Sequence, residues 1–280
     1  MNTIYQRGIP TEDEYVANVK SNRFQHLEEF SDGFLLKYKT YLRRYALKWV
    51  SDPLHQWSRR WEYPFVLDRL EPCLQAGKPS RILDAGSGVT FFPYYLASEY
   101  PGAEIDCCDQ DESFAEIFNR INGKAERRVD FVCAGLSSMP YSDSHFDSIY
   151  CISVLEHTAD FPAIIRELHR VLKPGGKLIV TFDLSLDRKY AVSPEQAELL
   201  LKSFSNGFSY DDPVSQQVAS EATAPGIFST RTAEEMDPAS LPWNKLLFPL
   251  LWARALLTGK GWLRWPPLLT VYCLSLTKNP

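Results

Sequence analysis

Arg81-Ile82-Leu83-Asp84-Ala85-Gly86-Ser87-Gly88 is the stretch on which the reading of this chain turns. An apolar, β-prone run ends in an acid and two glycines. That is the pattern of a strand followed by a tight loop whose backbone can approach a ligand closely. Moving outward, further β-prone runs follow at Glu104-Ile105-Asp106-Cys107-Cys108, Val129-Asp130-Phe131-Val132-Cys133, Phe146-Asp147-Ser148-Ile149-Tyr150-Cys151 and Lys177-Leu178-Ile179-Val180-Thr181-Phe182. Helix-like intervals separate most of them, for instance residues 161–172, after which Lys173-Pro174-Gly175-Gly176 turns the chain into the next strand. Alternating strands and helices with nearly continuous apolar strands predict an α/β, Rossmann-like, doubly wound and mostly parallel sheet with helices on both faces.

A second carboxylate, Asp109, ends the second run, 23 positions after Gly86. In a doubly wound sheet those strand ends are neighbours, so the glycine loop and the acid face one crevice, and a carboxylate there can accept hydrogen bonds from both hydroxyls of a ribose. A dinucleotide fingerprint asks for a third glycine where this chain has Phe91. The following Val89-Thr90-Phe91-Phe92-Pro93 also makes a poor helix start for a pyrophosphate, so the pattern favours an adenosyl ligand without phosphates. A glycine turn beside an unrelated surface acid is the blander alternative.

Composition narrows the function classes. The 280 residues are 45% hydrophobic and 23% charged, with 30 basic against 35 acidic residues and a formal net charge of −5. That much apolar surface excludes intrinsic disorder, and the acidic balance disfavours a general nucleic-acid binder. The opening Met1-Asn2-Thr3-Ile4-Tyr5-Gln6-Arg7 runs into Glu12, Asp13 and Glu14, so no secretory signal is expected. The apolar stretches are too short or too interrupted to span a bilayer. Cysteines 73, 107, 108, 133, 151 and 273 show no metal-ligand spacing and are expected to be reduced, buried thiols of a cytoplasmic protein; the adjacent Cys107 and Cys108 are a remote redox alternative.

Three parts are expected: a helical N-terminal extension over 1–78, a core over 79–183, and a less regular cap with a final strand over 184–280. In the first, Phe34, Leu35, Tyr38, Leu42, Tyr45 and Trp49 recur at helical steps, and Asp52-Pro53 is a candidate helix start. In the last, helices are expected near 194–202 and 245–258, and a strand over 269–276. All seven tryptophans fall outside 79–183, so aromatic surface belongs to the flanks.

Leu83-Asp84-Ala85-Gly86-Ser87-Gly88, Asp109, Met139-Pro140-Tyr141, Phe146-Asp147, Val154-Leu155-Glu156-His157 and Leu172-Lys173-Pro174-Gly175-Gly176, in this order and spacing, resemble class I S-adenosylmethionine-dependent methyltransferases. The likeness leans toward the small-molecule branch with ubiquinone-biosynthesis-type and sugar methyltransferases, and covers about residues 79–183. It implies S-adenosylmethionine as cofactor. Gly86, Ser87 and Gly88 would border its methionine portion, Asp84 would orient that loop, Asp109 would hold the ribose hydroxyls, and Gln110 and Leu136 would flank the adenine. One departure stands out: the family often places an acid beside the adenine amino group, and the aligned residue is Gly135, leaving backbone groups near Leu136 or Ser137 for that task.

Methyl transfer requires an acceptor held in line with the methyl group, and a base if the acceptor carries a proton. His157 lies just beyond the fourth strand at the ligand-binding edge, where a neutral imidazole suits a base; a structural histidine bonding a loop is the competing reading. Glu156 beside it and Asp183 at the end of the fifth strand are the other catalytic candidates. His26, His55, His145 and His169 read as surface or packing residues. The expected reaction is O-methylation of a small molecule, a sugar or secondary metabolite. Alternatives are N-methylation, a lipid-linked acceptor, a nicotinamide-dependent oxidoreductase, and a non-catalytic adenosyl binder.

Arg43, Arg44, Arg59 and Arg60 could bind an anionic substrate, although a solvated helix face is the simpler reading. Trp57, Trp61 and Tyr63 could stack on a substrate ring but more simply pack. Residues 243–265 combine Lys245, Arg254, Lys260 and Arg264 with leucines, Trp252, Trp262 and Trp265 and no acid, which suggests a peripheral membrane contact; a helix packed on the sheet is the blander alternative.

Overall fold

The computed structural model describes residues 5–47, 49, 52–74, 79–158, 160–189, 192–212, 217–243, 249–250, 253 and 266–280. Three helices come first: α1 (Glu12–Val19), α2 (Asn22–Leu42) and α3 (Arg59–Leu74). Thr11 and Glu14 close a reciprocal capping box on α1, and Ser21 caps α2, so polar side chains satisfy N–H groups that have no intrahelical partner. Alternation then begins: β1 (Ser80–Ala85), α4 (Phe92–Glu99), β2 (Ala103–Asp109), α5 (Phe114–Asn122), β3 (Asp130–Cys133), β4 (Phe146–Ile152), α6 (Phe161–Val171) and β5 (Leu172–Ser185). The remainder holds α7 (Pro194–Phe204), β6 (Phe208–Tyr210), α8 (Val218–Glu221), α9 (Thr230–Met236) and β7 (Leu269–Lys278).

The seven strands form one sheet in the order β3-β2-β1-β4-β5-β7-β6. The pairs among β1 to β5 are parallel, and β7 runs antiparallel to both β5 and β6. The chain reverses its direction of winding between β1 and β4, which opens a crevice at the carboxyl ends of those strands. Strand alternation sends Ile82, Ile105, Tyr150 and Ile179 to one face, under side chains of the N-terminal helices, α4 and α5. Leu83, Ile149, Leu178 and Val180 go to the other, under α6 and α7. Residues from 5–74 therefore share an apolar core with the sheet, and α3 lies against β4, β5 and β7.

Several local expectations are corrected. Asp52-Pro53 does not open a helix: residues 52–58 are turns, Asp52 accepts the His55 N–H at 3.3 Å, and α3 starts at Arg59. That helix carries Pro64, which cannot donate to the Arg60 carbonyl; the Asn18 side-chain amide donates to it instead at 2.7 Å, tying α1 to α3. The aromatic stripe is helical only through Leu42, with Tyr45 in a short 3-10 turn and Trp49 beyond it. Cys107, Cys108, Cys151 and Cys273 are buried as expected, but Cys73 is half-buried and Cys133 is exposed at the end of an edge strand. Of the helix expected near 245–258 only Pro249, Leu250 and Ala253 are described, and they are helical; the rest of it, with almost all of 243–265, lies outside the described residues. Among those described, no helix is long and apolar enough to cross a membrane.

Candidate active site

The glycine loop is bent over the end of β2. Gly86 and Ser87 both donate their N–H groups to the Cys108 carbonyl, at 2.8 and 3.1 Å. Gly86 and Gly88 adopt φ of 79° and 53°, a region that disfavours side chains. Space excludes them as well: a Cβ on Gly86 would sit 2.5 Å from a Val154 methyl, and one on Gly88 would sit 2.6 Å from the Tyr45 hydroxyl. Asp109 bridges two loops, its Oδ2 accepting the Gly88 N–H at 3.0 Å and its Oδ1 the Asp111 N–H at 3.1 Å. Asp84 lies 5% exposed beneath the loop. Burial raises its pKa to about 8, with Asp109 adding to the rise and the neighbouring Tyr150 hydroxyl opposing it.

These groups line one cleft of about 1160 Å³. Asp84, Gly86, Ser87, Gly88 and Asp109 form its floor, and Gln110 and Leu136 also border it. Gly135 and Ser137 lie on the same wall, and a Cβ at Gly135 would meet nothing within 4 Å. The missing acid at this position is therefore not a consequence of crowding. His157 and Asp183 border the cleft too. Glu156 does not line it but stands behind Asp183, whose N–H it accepts at 3.2 Å.

Sequence reasoning missed the group that organises the acceptor side. Glu62, fully buried on α3, accepts hydrogen bonds from Ser153 at 2.7 Å, from Thr181 at 2.5 Å and from Arg59. Arg59 donates also to Ser153, at 2.5 Å, and is the single lysine or arginine among the described lining residues. Six carboxylates share that lining: Asp84, Asp109, Asp111, Glu112, Asp160 and Asp183. The simpler reading of a solvated helix face is thus overturned for Arg59, and for Arg60, which pairs with Asp237 at 2.6 Å. Arg43 and Arg44 are exposed.

Beyond Arg59 the cluster is short of positive charge. Asp183 Oδ1 and Glu156 Oε2 are buried without a hydrogen-bond partner. Burial raises both carboxyls, Glu156 to about 8 with Asp183 adding, and Asp183 to about 7 with Glu62 adding; Arg59 opposes each rise. Each carboxyl of the pair is thereby biased toward its protonated form. His157 opens on the cleft, and its pKa is pushed down by partial burial and then by the charge of Arg59, which keeps the ring neutral.

The other histidines lie apart from this cluster. His26 meets Glu99 at 3.3 Å, and His145 stacks on Tyr141. His169 sits edge-on to Phe208. His55 is held between Asp52 at 2.7 Å and Glu28 at 3.0 Å, and the Asp52 hydrogen bond is the main cause of its pKa rising to about 9. Trp61 is a core residue, whereas Trp57 and Tyr63, also buried, border the cleft. Phe91, where a dinucleotide site would have glycine, is 1% exposed and packs edge-on to Tyr63 at 5.0 Å.

Comparison with known proteins bears on this arrangement. Residues 83–180 match the family described as the methyltransferase domain. The match is confined to that segment, over which the chain is similar to methyltransferase domains. Similar proteins include the biotin biosynthesis bifunctional protein BioHC of Cellvibrio japonicus, 33% identical over 36% of this chain and 19% of that protein. The 24-methylenesterol C-methyltransferase 2 of Oryza sativa is 29% identical over 63% of this chain and 49% of its own length. A malonyl-[acyl-carrier protein] O-methyltransferase of Halorhodospira halophila is 33% identical over 41% and 38%. The matches thus span about half or less of these relatives. Among solved structures, one from Galdieria sulphuraria, provisionally assigned as a sarcosine dimethylglycine methyltransferase, has a TM-score of 0.51 at 18% identity, covering 76% of this chain and 84% of the other. The [4+2]-cyclase SpnF has a TM-score of 0.51 at 24% identity, covering 78% and 83%. At these identities the structural likeness speaks for the fold alone.

Proposed function

We propose that this protein transfers a methyl group from S-adenosylmethionine to a small-molecule acceptor, most simply an oxygen of a sugar or other secondary metabolite. The observation that carries the reading is Asp109, whose two oxygens tie the loops after β1 and β2 together at the floor of the cleft. The lining fits the cofactor: a bare glycine loop, room for more than one ligand, and an excess of carboxylates suited to a cationic molecule. When bound, S-adenosylmethionine supplies an electrophilic methyl group on a sulfonium with a good leaving group.

The chain's own residues take the remaining roles. Asp109 holds the ribose hydroxyls, Gly86, Ser87 and Gly88 border the methionine portion, and Arg59 offers a fixed cation to its carboxylate. Gln110 and Leu136 flank the adenine, with the backbone near Gly135 and Ser137 reading its edge. On the acceptor side, Asp183, backed by Glu156, or the neutral His157 removes a hydroxyl proton. An N-linked or lipid-linked acceptor is the second reading, favoured by the carboxylates around Asp183 in the one case and by the cleft rim in the other. A nicotinamide cofactor fits less well, because Phe91 fills the third glycine position and the first turn of α4 contains Pro93, which has no N–H for a phosphate. Calorimetric titration with S-adenosylhomocysteine and with NAD tests the cofactor, and a screen of acceptors with labelled methyl donor tests the transfer. Binding of NAD alone would overturn the reading.

A further inference from the structure

One stretch of the chain that reaches the cleft differs in charge from the rest. Residues 33–51 contain Lys37, Lys39, Arg43, Arg44 and Lys48 and no acid, within a protein whose formal net charge is −5. Lys37, Lys39, Arg43 and Arg44 are exposed, and none pairs with a carboxylate among the described residues. Large apolar side chains stand out beside them: Leu36 is 79% exposed, Leu47 86% and Trp49 47%. On α2, Leu36, Lys39 and Thr40 follow one another at helical spacing and continue to Arg43, while Phe34, Tyr38 and Leu42 bury the opposite face. The stretch then reaches the cleft itself, since Tyr45 and Trp49 both line it.

Pro242 also lines the cleft and is followed in sequence by 243–265, which carries four cations and no acid. Leu250 there is 69% exposed, so among the described residues four of the six exposed large hydrophobics come from these two acid-free stretches. Solvent-exposed leucine and tryptophan interleaved with lysine and arginine match the boundary of a bilayer, where acyl chains take the apolar groups and anionic headgroups the cations. An acidic protein or an RNA would satisfy the charges but would leave Leu36 and Leu47 unexplained.

We propose that the edge formed by the second half of α2, residues 43–47 and Trp49 seats this protein on an anionic lipid surface, with the cleft mouth facing the headgroups. The docking stands without the methyl-transfer reading; only the corollary, that the acceptor is drawn from the lipid phase, rests on it.

Co-sedimentation of the full chain with phosphatidylcholine vesicles, with and without phosphatidylserine, tests the docking. Binding should need phosphatidylserine and weaken with salt. Arg43→Glu/Arg44→Glu should weaken it by about tenfold or more, and Leu36→Ser/Leu47→Ser should weaken it at unchanged charge. All variants should retain wild-type melting and affinity for S-adenosylhomocysteine, which shows them folded. The proposal is overturned if vesicles are not bound, if charge reversal leaves binding unchanged, or if an acidic carrier protein or RNA is bound in preference to the vesicles. Absence of vesicle binding with intact cofactor affinity sinks the docking alone, whereas vesicle binding without cofactor affinity sinks the methyl-transfer reading alone.

Discussion

Replacing Asp109 by alanine should all but abolish cofactor binding while leaving a folded protein. In the native chain each carboxylate oxygen accepts one backbone N–H, from Gly88 at 3.0 Å and from Asp111 at 3.1 Å, and each has capacity for a further donor. Two ribose hydroxyls would occupy that capacity. A hydrogen bond to a charged group contributes about 1.5–3 kcal/mol, so losing two removes about 3–6 kcal/mol. At about 1.4 kcal/mol per decade, affinity for S-adenosylhomocysteine should fall by roughly two to four orders of magnitude. The two loop N–H groups lie at a half-exposed site and can turn to water, so the stability loss should stay near about 1–2 kcal/mol. The Asp109→Asn variant should fall between alanine and wild type, because it keeps one acceptor and sets an N–H₂ against the other donor. Calorimetry reads the affinity, and thermal melting checks the fold. An alanine variant with a native melt and affinity within about threefold of wild type would refute the ribose-clamp reasoning.

Other perturbations follow from the same geometry. Gly86→Ala places a methyl 2.5 Å from Val154 at φ 79° and should cost about 1–3 kcal/mol of stability as well as cofactor affinity; Val154→Ala in the same chain should recover part of it, measured by denaturant unfolding. Glu62→Ala strands Arg59 in a buried site and should cost about 3–5 kcal/mol, whereas Glu62→Gln keeps an acceptor for Ser153 and Thr181 and should cost less. His55, raised to about 9 chiefly by Asp52, should contribute stability that is fully present below its unfolded value near 6.5 and lost as pH rises through about 9. The site is partly exposed, so the contribution is about 1 kcal/mol, and a His55→Gln variant should match wild type at alkaline pH only. For Asp183 and Glu156 the raised carboxyls favour the folded state when protonated, so stability falls as pH rises from their ordinary values near 4 and levels off above about 7 to 8. Asp183→Asn should flatten that slope in melts across the range.

The sheet was legible because its signals are local. Each strand of the core announces itself as an apolar run a few residues long, and the loop, Asp109 and the strand ends follow from a topology with few alternatives. Arg59 and Glu62 were not, because their partners Ser153 and Thr181 stand 91 and 119 residues from Glu62 and nothing in α3 itself marks them. The same holds for the helix start at Arg59. Asp52-Pro53 has the composition of a cap, but a tertiary hydrogen bond from Asn18 is what makes Pro64 tolerable within α3. Tyr45 shows the opposite case: its helical spacing was visible, yet its place against Gly88 depends on the chain leaving α2 at Leu42.

A crystal structure of the protein with S-adenosylhomocysteine addresses the account at its root. Both ribose hydroxyls should lie on the Asp109 carboxylate, with the methionine portion over Gly86 to Gly88 and the sulfur directed toward Asp183. An adenosine bound elsewhere, or a cleft that stays closed to it at saturating concentration, would contradict the account.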